Sequence, residues 1–179
     1  RLRSINQGIM VGAGTVVADN PQLTVRHVRG KNPFRIIVDS KLRVPIKSSV
    51  LTDANACLTI IATTSDAPAA KIAAVKKQGA EIWVVKKERD GRVSLRDLLR
   101  KLGKREIMSV LVEGGSEIIT SLLKAGLVDK MIIPIAPMIV GKGLEAIGDL
   151  NINKINKSIR FTSFKTMKKG DDIIFEGTM

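Results

Sequence analysis

Short apolar runs alternate with stretches of helical periodicity along most of the chain. Runs rich in β-branched residues predict five buried strands, at residues 8–11, 34–38, 58–63, 81–85 and 107–112. The periodic stretches that follow the later runs predict three helices, at residues 68–78, 95–102 and 117–124. Because strands that alternate with helices form mainly parallel sheets, we expect an α/β fold.

The last third of the chain has a different pattern. Residues 130–137 form an apolar run that contains two prolines, which is typical of an edge or bulged strand because proline cannot donate a ladder hydrogen bond. Residues 159–167 and 173–177 flank the polar turn 168–171 and predict an antiparallel hairpin. Since no repeat or linker interrupts the pattern, we expect residues 1–179 to form one domain that the hairpin closes.

A glycine-rich turn follows the first predicted strand and carries several groups that suit a ligand. Gly12 and Gly14 allow the backbone to approach a ligand closely because neither has a Cβ. Thr15 is predicted to be the N-cap of a short helix that ends before Pro21, and its hydroxyl and the free amides suit a phosphate or carboxylate. Arg26 then supplies a positive charge. When its residues are considered one at a time, this stretch is equally compatible with an ordinary strand–turn–helix connection that carries a surface arginine.

A second polar loop, residues 39–45, follows the second predicted strand. Ligands of open α/β sheets bind at the carboxyl ends of strands, so this loop is well placed for a ligand. Arg43 and Lys41 would neutralise a phosphate, and Ser40 would donate a hydrogen bond to it. A solvated basic loop is the alternative.

A diglycine follows the fifth predicted strand, in the sequence Glu113, Gly114, Gly115, Ser116. A diglycine between a strand and a helix exposes successive amides to an anion, with the helix dipole behind them. This arrangement suits a pyrophosphate, although the segment lacks both the Walker pattern and the complete Rossmann fingerprint. A tight connecting turn is the alternative.

The amino-acid composition excludes several classes of protein function. One cysteine, Cys57, excludes an internal disulfide, and one histidine, His27, makes a zinc site or a Ser-His-Asp arrangement improbable, so no metal is expected. The net charge of +13 is common in nucleic-acid-binding proteins, but only 3% of the residues are aromatic and available to stack on bases. No apolar run of membrane-spanning length or signal peptide is evident, so we expect a cytoplasmic protein without a membrane partner.

Three motifs in order resemble the riboflavin-pathway reductases, the family of the reductase half of the riboflavin deaminase-reductase and of stand-alone archaeal-type reductases. They are G-A-G-T-x-x-x-D-x-P-x-L-x-x-R from residue 12, R-I-I-V-D-S-x-L-R-V-P from residue 35 and L-V-E-G-G-S from residue 111. The resemblance implies a dihydrofolate-reductase-like three-layer fold, a homodimer, and NADPH-dependent reduction of the ribosylamino group of a pyrimidine 5′-phosphate. It also implies that the strand and loop with which the family begins are missing before residue 1.

The resemblance assigns ligand contacts to particular residues. The residues implied to bind the substrate are Arg3, Leu23, Arg26 and Glu113. The residues implied to bind NADPH are Thr15, Asp19, Ser40, Lys41, Leu42, Arg43, Gly114, Gly115, Ser116 and Glu117. Glu113 is the candidate catalytic residue, because it would orient the sugar hydroxyls or assist proton transfer.

The substrate itself is less closely defined. One histidine and one cysteine cannot form the zinc signature of a deaminase, so the resemblance favours a stand-alone reductase of 2,5-diamino-6-ribosylamino-4(3H)-pyrimidinone 5′-phosphate. Reduction of the deaminated uracil compound or of a pterin remains open. So does a non-catalytic basic module that binds nucleotides or nucleic acid.

Overall fold

The computed structural model describes residues 1–179 and divides into two compact units, residues 1–118 and 119–179. The helices are α1 (Leu2–Ile5), α2 (Ala13–Asp19), α3 (Ser49–Thr52), α4 (Ala69–Lys77), α5 (Leu95–Lys104) and α6 (Ser116–Lys124). The strands are β1 (Gly8–Gly12), β2 (Phe34–Val38), β3 (Thr59–Thr63), β4 (Glu81–Val84), β5 (Val110–Val112), β6 (Lys130–Ile135), β7 (Ser163–Lys169) and β8 (Asp172–Thr178). Short 3₁₀ turns lie at Ala56–Leu58 and Ile155–Lys157. The longest helix, α5, has 10 residues, and none of the helices could span the apolar interior of a bilayer.

The first unit is built on a five-stranded sheet in the order β4-β3-β2-β1-β5, in which every pairing is parallel. The central strands are apolar on both faces, and Ile9, Val11, Ile37 and Ile61 are fully buried in one cluster. Parallel strands that are buried on both faces read as continuous β-branched runs, which is the pattern in the sequence. The α/β class and the mainly parallel sheet are therefore confirmed.

The second unit contains a three-stranded antiparallel sheet in the order β6-β8-β7. Strands β7 and β8 form the predicted hairpin around Gly170, which has a positive φ of 64°. The proline-containing strand β6 lies at an edge, as predicted, because it pairs only with β8. Phe175 contacts Phe161 edge-to-face at 5.0 Å between ring centroids and stacks on Phe164 at 5.6 Å.

Several predicted elements differ from the structure at their ends, including the first hairpin strand, which begins at Ser163 rather than at residue 159, and three further differences have a local cause. Strand β5 is shorter than residues 107–112, because Ile107 instead closes helix α5 by donating its backbone N–H to Leu102. Helix α5 continues through Gly103 to Lys104 rather than ending at the glycine. Thr15 is not the N-cap of α2, since the helix begins at Ala13 and its N-cap is Gly12.

Candidate ligand-binding site

The candidate site lies at the carboxyl ends of β1 and β5. After β1 the chain adds strands β2, β3 and β4 on one side, and it then returns to place β5 on the other side of β1. Open α/β sheets bind ligands at such a switch point, because the loops that leave the two strands diverge there. The register pairs Met10 with Val112, so the two glycine-rich turns leave the sheet side by side.

These two turns lie against each other. Gly114 and Gly115 have φ values of 73° and 82°, which residues other than glycine rarely adopt. A Cβ at Gly114 would lie 3.6 Å from the Thr15 hydroxyl oxygen, and one at Gly115 would lie 3.8 Å from it and 3.9 Å from the Gly12 nitrogen. Both glycines are exposed, and α6 begins at the next residue. The diglycine backbone and the Thr15 hydroxyl therefore line one accessible surface at a helix N-terminus, where an anion is favoured.

Two of the residues predicted to bind substrate form an ion pair with each other. Arg3 Nε donates to Glu113 Oε1 at 3.0 Å and Arg3 Nη2 donates to Glu113 Oε2 at 2.7 Å. The side chains are 22% and 33% exposed, so the pair borders on solvent. The hydrogen bonds from Arg3 to the Glu113 carboxylate raise the pKa of the guanidinium above its ordinary value, against the opposing effect of partial burial.

Arg3 also joins this pair to the loop that carries the other predicted substrate residues. Its Nη1 donates to the backbone oxygen of Thr24 at 3.0 Å. Leu23 precedes this residue and is buried, with a positive φ of 56°. Arg26 follows it and is exposed, with no ion pair or hydrogen bond from its side chain. The structure thus brings Arg3, Thr24 and Glu113 together and leaves the charge of Arg26 available to an anion.

The loop after β2 has a fixed backbone. The Ser40 hydroxyl accepts a hydrogen bond from the Val93 N–H, and the Ser40 carbonyl accepts hydrogen bonds from the hydroxyls of Thr63 and Thr64. Leu42 is buried with a φ of 51°, so only its backbone is accessible to a ligand. The side chains of Lys41 and Arg43 are exposed.

The remaining predicted cofactor residues lie at the ends of helices. Asp19 is exposed at the last position of α2. Ser116 and Glu117 open α6, and the Glu117 carboxylate lies 3.8 Å from the Arg92 guanidinium. All the residues predicted as ligand contacts belong to the first unit, residues 1–118.

Sequence reasoning missed a buried polar cluster beneath the loop of Leu23 and Arg26. Arg35 is 1% exposed and forms an ion pair with Asp53 at 2.7 Å. Its Nη1 also donates to the backbone oxygen of Gln22. The available signal was a single arginine in the otherwise apolar run of β2, because a buried charge needs nearby partners.

A parallel sheet with an exposed glycine-rich turn at its switch point is an arrangement of α/β domains that bind phosphorylated ligands. The family model described as the RibD C-terminal domain matches residues 1–175. The chain belongs to the RibD C-terminal domain family.

Individual relatives agree with this assignment. The chain is 37% identical to the riboflavin biosynthesis protein RibD of Aquifex aeolicus over 97% of its length, but it spans only 46% of that protein. It is 38% identical to the 2,5-diamino-6-ribosylamino-4(3H)-pyrimidinone 5′-phosphate reductase of Methanothermobacter thermautotrophicus, over 99% of this chain and 82% of the relative. The solved structure of the riboflavin biosynthesis reductase Rib7 of Saccharomyces cerevisiae superposes with a TM-score of 0.77 at 25% identity, and the match covers 99% of this chain and 77% of Rib7.

Proposed function

We propose that the chain is an NADPH-dependent reductase of riboflavin biosynthesis that acts on 2,5-diamino-6-ribosylamino-4(3H)-pyrimidinone 5′-phosphate. The product carries a ribitylamino group in place of the ribosylamino group. The observation that carries the proposal is the convergence of two glycine-rich turns and the Arg3–Glu113 pair at the ends of β1 and β5. The name of the Methanothermobacter relative, most of whose length the chain matches, supports this substrate.

The diglycine turn fits the pyrophosphate of a dinucleotide cofactor. Side chains at Gly114 and Gly115 would project toward Thr15, so glycine keeps the surface open to a phosphate. Thr15 and Ser116 supply hydroxyl groups beside the exposed amides, and Lys41 and Arg43 are exposed cations at the end of the neighbouring strand β2. Cations at this position favour the additional 2′-phosphate of NADPH over NADH.

Among the residues predicted to bind substrate, Arg26 has no charged partner, whereas Arg3 and Glu113 form an ion pair with each other. Arg26 is the unpaired cation and would bind the 5′-phosphate. Glu113 is held by Arg3 and keeps one-third of its side chain exposed, so its carboxylate would orient the sugar hydroxyls or assist proton transfer. NADPH, when bound, would supply the hydride that C1′ of the opened sugar accepts. The chain's main contribution would be to hold the two reacting carbons close together.

The decisive experiment is oxidation of the reduced nicotinamide by the full-length protein. NADPH and NADH are compared, each with the diaminopyrimidine phosphate and with its deaminated uracil counterpart. We expect turnover with NADPH and the diamino compound. Turnover of the uracil compound alone would favour the second candidate substrate, and turnover of neither would overturn the proposal.

The substitution Arg26→Ala tests the role of Arg26 in binding the 5′-phosphate. It should raise the KM for the pyrimidine phosphate, whereas Arg100→Ala, which replaces an exposed arginine on α5, should leave this KM unchanged.

We also propose that the protein is a homodimer, and that the antiparallel sheet of the second unit contributes to the contact. Register places Phe164, Ile173 and Ile135 on the same face, where they are 69%, 50% and 51% exposed. Exposed apolar patches of this kind mark interaction sites. Light scattering should give a dimer mass that Phe164→Glu lowers to a monomer mass. Ser163→Glu, at an exposed position on the other face of β7, should leave the mass unchanged.

A further inference from the structure

Three backbone groups in residues 20–26, here called the substrate loop, are each held by a side chain from a different segment. Arg35 Nη1 donates to the Gln22 oxygen at 3.1 Å. Arg3 Nη1 donates to the Thr24 oxygen at 3.0 Å, and the Val25 N–H donates to Asn32 Oδ1 at 2.9 Å. Backbone polar groups in a loop are usually solvated, so this density of side-chain bonds is unusual for a connecting segment.

Arg35 is itself fixed in every direction. Its Nε donates to the Thr59 hydroxyl, and its terminal nitrogens form two hydrogen bonds with the Asp53 carboxylate at 2.7 and 3.0 Å. They also donate to the backbone oxygens of Val50 and Asn55. A guanidinium that is 1% exposed and has this many acceptors cannot shift without leaving buried polar groups unpaired.

Asn32 belongs to the same support. Its Nδ2 donates to Asn55 Oδ1 at 3.1 Å, and the Asn55 N–H donates to Asp53 Oδ1. The anchors of Gln22 and Val25 therefore both rest on residues 53–55. Since Arg35 is in β2, the substrate loop is tied through them to the central sheet.

The loop needs this support because its own conformation is unfavourable. Leu23 has a φ of 56°, a left-handed conformation that is unfavourable for a residue with a Cβ. Pro21 has no N–H to donate. A strained conformation of this kind persists only where surrounding contacts determine it. The exposed Arg26 follows directly on Val25, the last anchored residue.

We infer that Asn32 and Arg35 are positioning residues for substrate binding: by fixing Val25 and Gln22 they set the direction in which Arg26 meets the substrate phosphate. The inference rests on the proposed function for the identity of the ligand. Neither side chain touches the substrate. Their effect is to order the loop before binding, so that the ordering cost does not fall on the binding step.

Asn32→Ala is the variant that tests the inference, because Asn32 is only partly buried and its loss should leave the fold intact. We expect the KM for the pyrimidine phosphate to rise about tenfold, while kcat and the KM for NADPH stay within about twofold. Asn32→Asp retains an acceptor for the Val25 N–H but loses the donor to Asn55 Oδ1, so it should recover only part of the loss. Thr52→Ala is the control, since Thr52 is an exposed residue whose hydroxyl donates only to the Ser48 backbone oxygen within its own turn.

A double-mutant cycle shows whether Asn32 acts through Arg26. In an Arg26→Ala background, Asn32→Ala should have little further effect on KM, because the group that the loop positions is gone. If the two substitutions instead raised KM by independent factors that multiply in the double variant, the inference would be overturned. A fall in kcat together with a rise in both KM values and a lower melting temperature would also overturn it, since those changes indicate a general loss of structure.

Hydrogen exchange tests whether Asn32 orders the substrate loop when no substrate is bound. In the ligand-free protein, Asn32→Ala should raise the exchange rate of the Val25 amide about tenfold, and Thr52→Ala should not change it. An unchanged exchange rate would overturn the inference whatever the activity. Faster exchange in a protein that reduces neither pyrimidine would show that Asn32 does order the loop, and it would overturn the proposed function instead.

Discussion

The pairing of Arg3 with Glu113 changes how both residues are expected to work. The resemblance to the riboflavin-pathway reductases predicts that each contacts substrate. In the structure the positive charge of Arg3 is matched by Glu113 and by the Thr24 oxygen. Arg3 would therefore orient the carboxylate, and the phosphate would be bound by Arg26, which has no partner of its own.

Glu113→Gln should separate the structural and catalytic parts of this role. The amide keeps the shape of the side chain but removes the charge, so unfolding free energy in urea should fall by about 1 kcal/mol, a modest value because both side chains are partly exposed. Turnover should fall much further if the carboxylate assists proton transfer. Full turnover would remove that role. Glu88→Gln, at an exposed position outside the candidate site, should change neither quantity appreciably.

At the level of single residues, the sequence predicted which residues of the candidate site lie together better than it predicted the residues that hold them in place. The motifs place Thr15, Gly114 and Gly115 together because each follows a strand of the same parallel sheet. The partners of Arg35 and Asn32 come from residues 22–25 and 50–59, and no local pattern relates these segments. Long-range polar contacts of this kind depend on how the loops cross, which periodicity does not encode.

Among the elements, the turn between β5 and α6 carries the most specific requirement. Its two glycines have positive φ values, and they lie against the surface that Thr15 shares. The residues of this turn therefore have to adopt positive φ values and also leave the surface beside Thr15 accessible to a ligand.

Gly115→Ala should affect both properties, and Gly79→Ala only the first. Gly79 follows α4 with a φ of 87°, and no atom lies within 4 Å of the position that a Cβ would take, so alanine there is strained without blocking anything. Both variants should lose about 1 kcal/mol of unfolding free energy. Only Gly115→Ala should raise the KM for NADPH. Equal KM values in both variants would contradict the assignment of the diglycine to the cofactor.

The sequence predicted the strands of both sheets, with errors confined to their ends. Central strands such as β2 are buried on both faces, so their apolar runs match the observed bounds. The prediction for the run that leads into β5 was wrong because Ile107 is apolar for another reason, its burial at the end of α5. Apolar character reports burial, and it does not distinguish a ladder from a helix terminus.

For the whole molecule, the net charge of +13 is compatible with anionic small ligands. A surface with a strong excess of one sign accelerates the approach of oppositely charged molecules, and salt screens that effect. The scarcity of aromatic residues argues against stacking on nucleic-acid bases.

We therefore expect the association rate of NADPH to fall roughly tenfold between low and physiological salt, with a smaller change in its dissociation rate. Stopped-flow fluorescence measures both rates. Sucrose at matched osmolality is the control, because it changes the water activity without screening charge. A salt-independent association rate would show that the excess charge has no role in ligand capture.

The Arg3–Glu113 pair closes a loop of 110 positions in the sequence. Such distant contacts form late in folding, because the entropy of closing the intervening chain must be met first. The pair requires β5 to have joined β1, which is the last addition to the parallel sheet in chain order. In a refolding experiment, the capacity to bind the nicotinamide cofactor should consequently return with the slowest phase, after the helical signal has recovered. A nascent or truncated chain that stops short of β5 would hold most of its predicted ligand residues and still bind nothing.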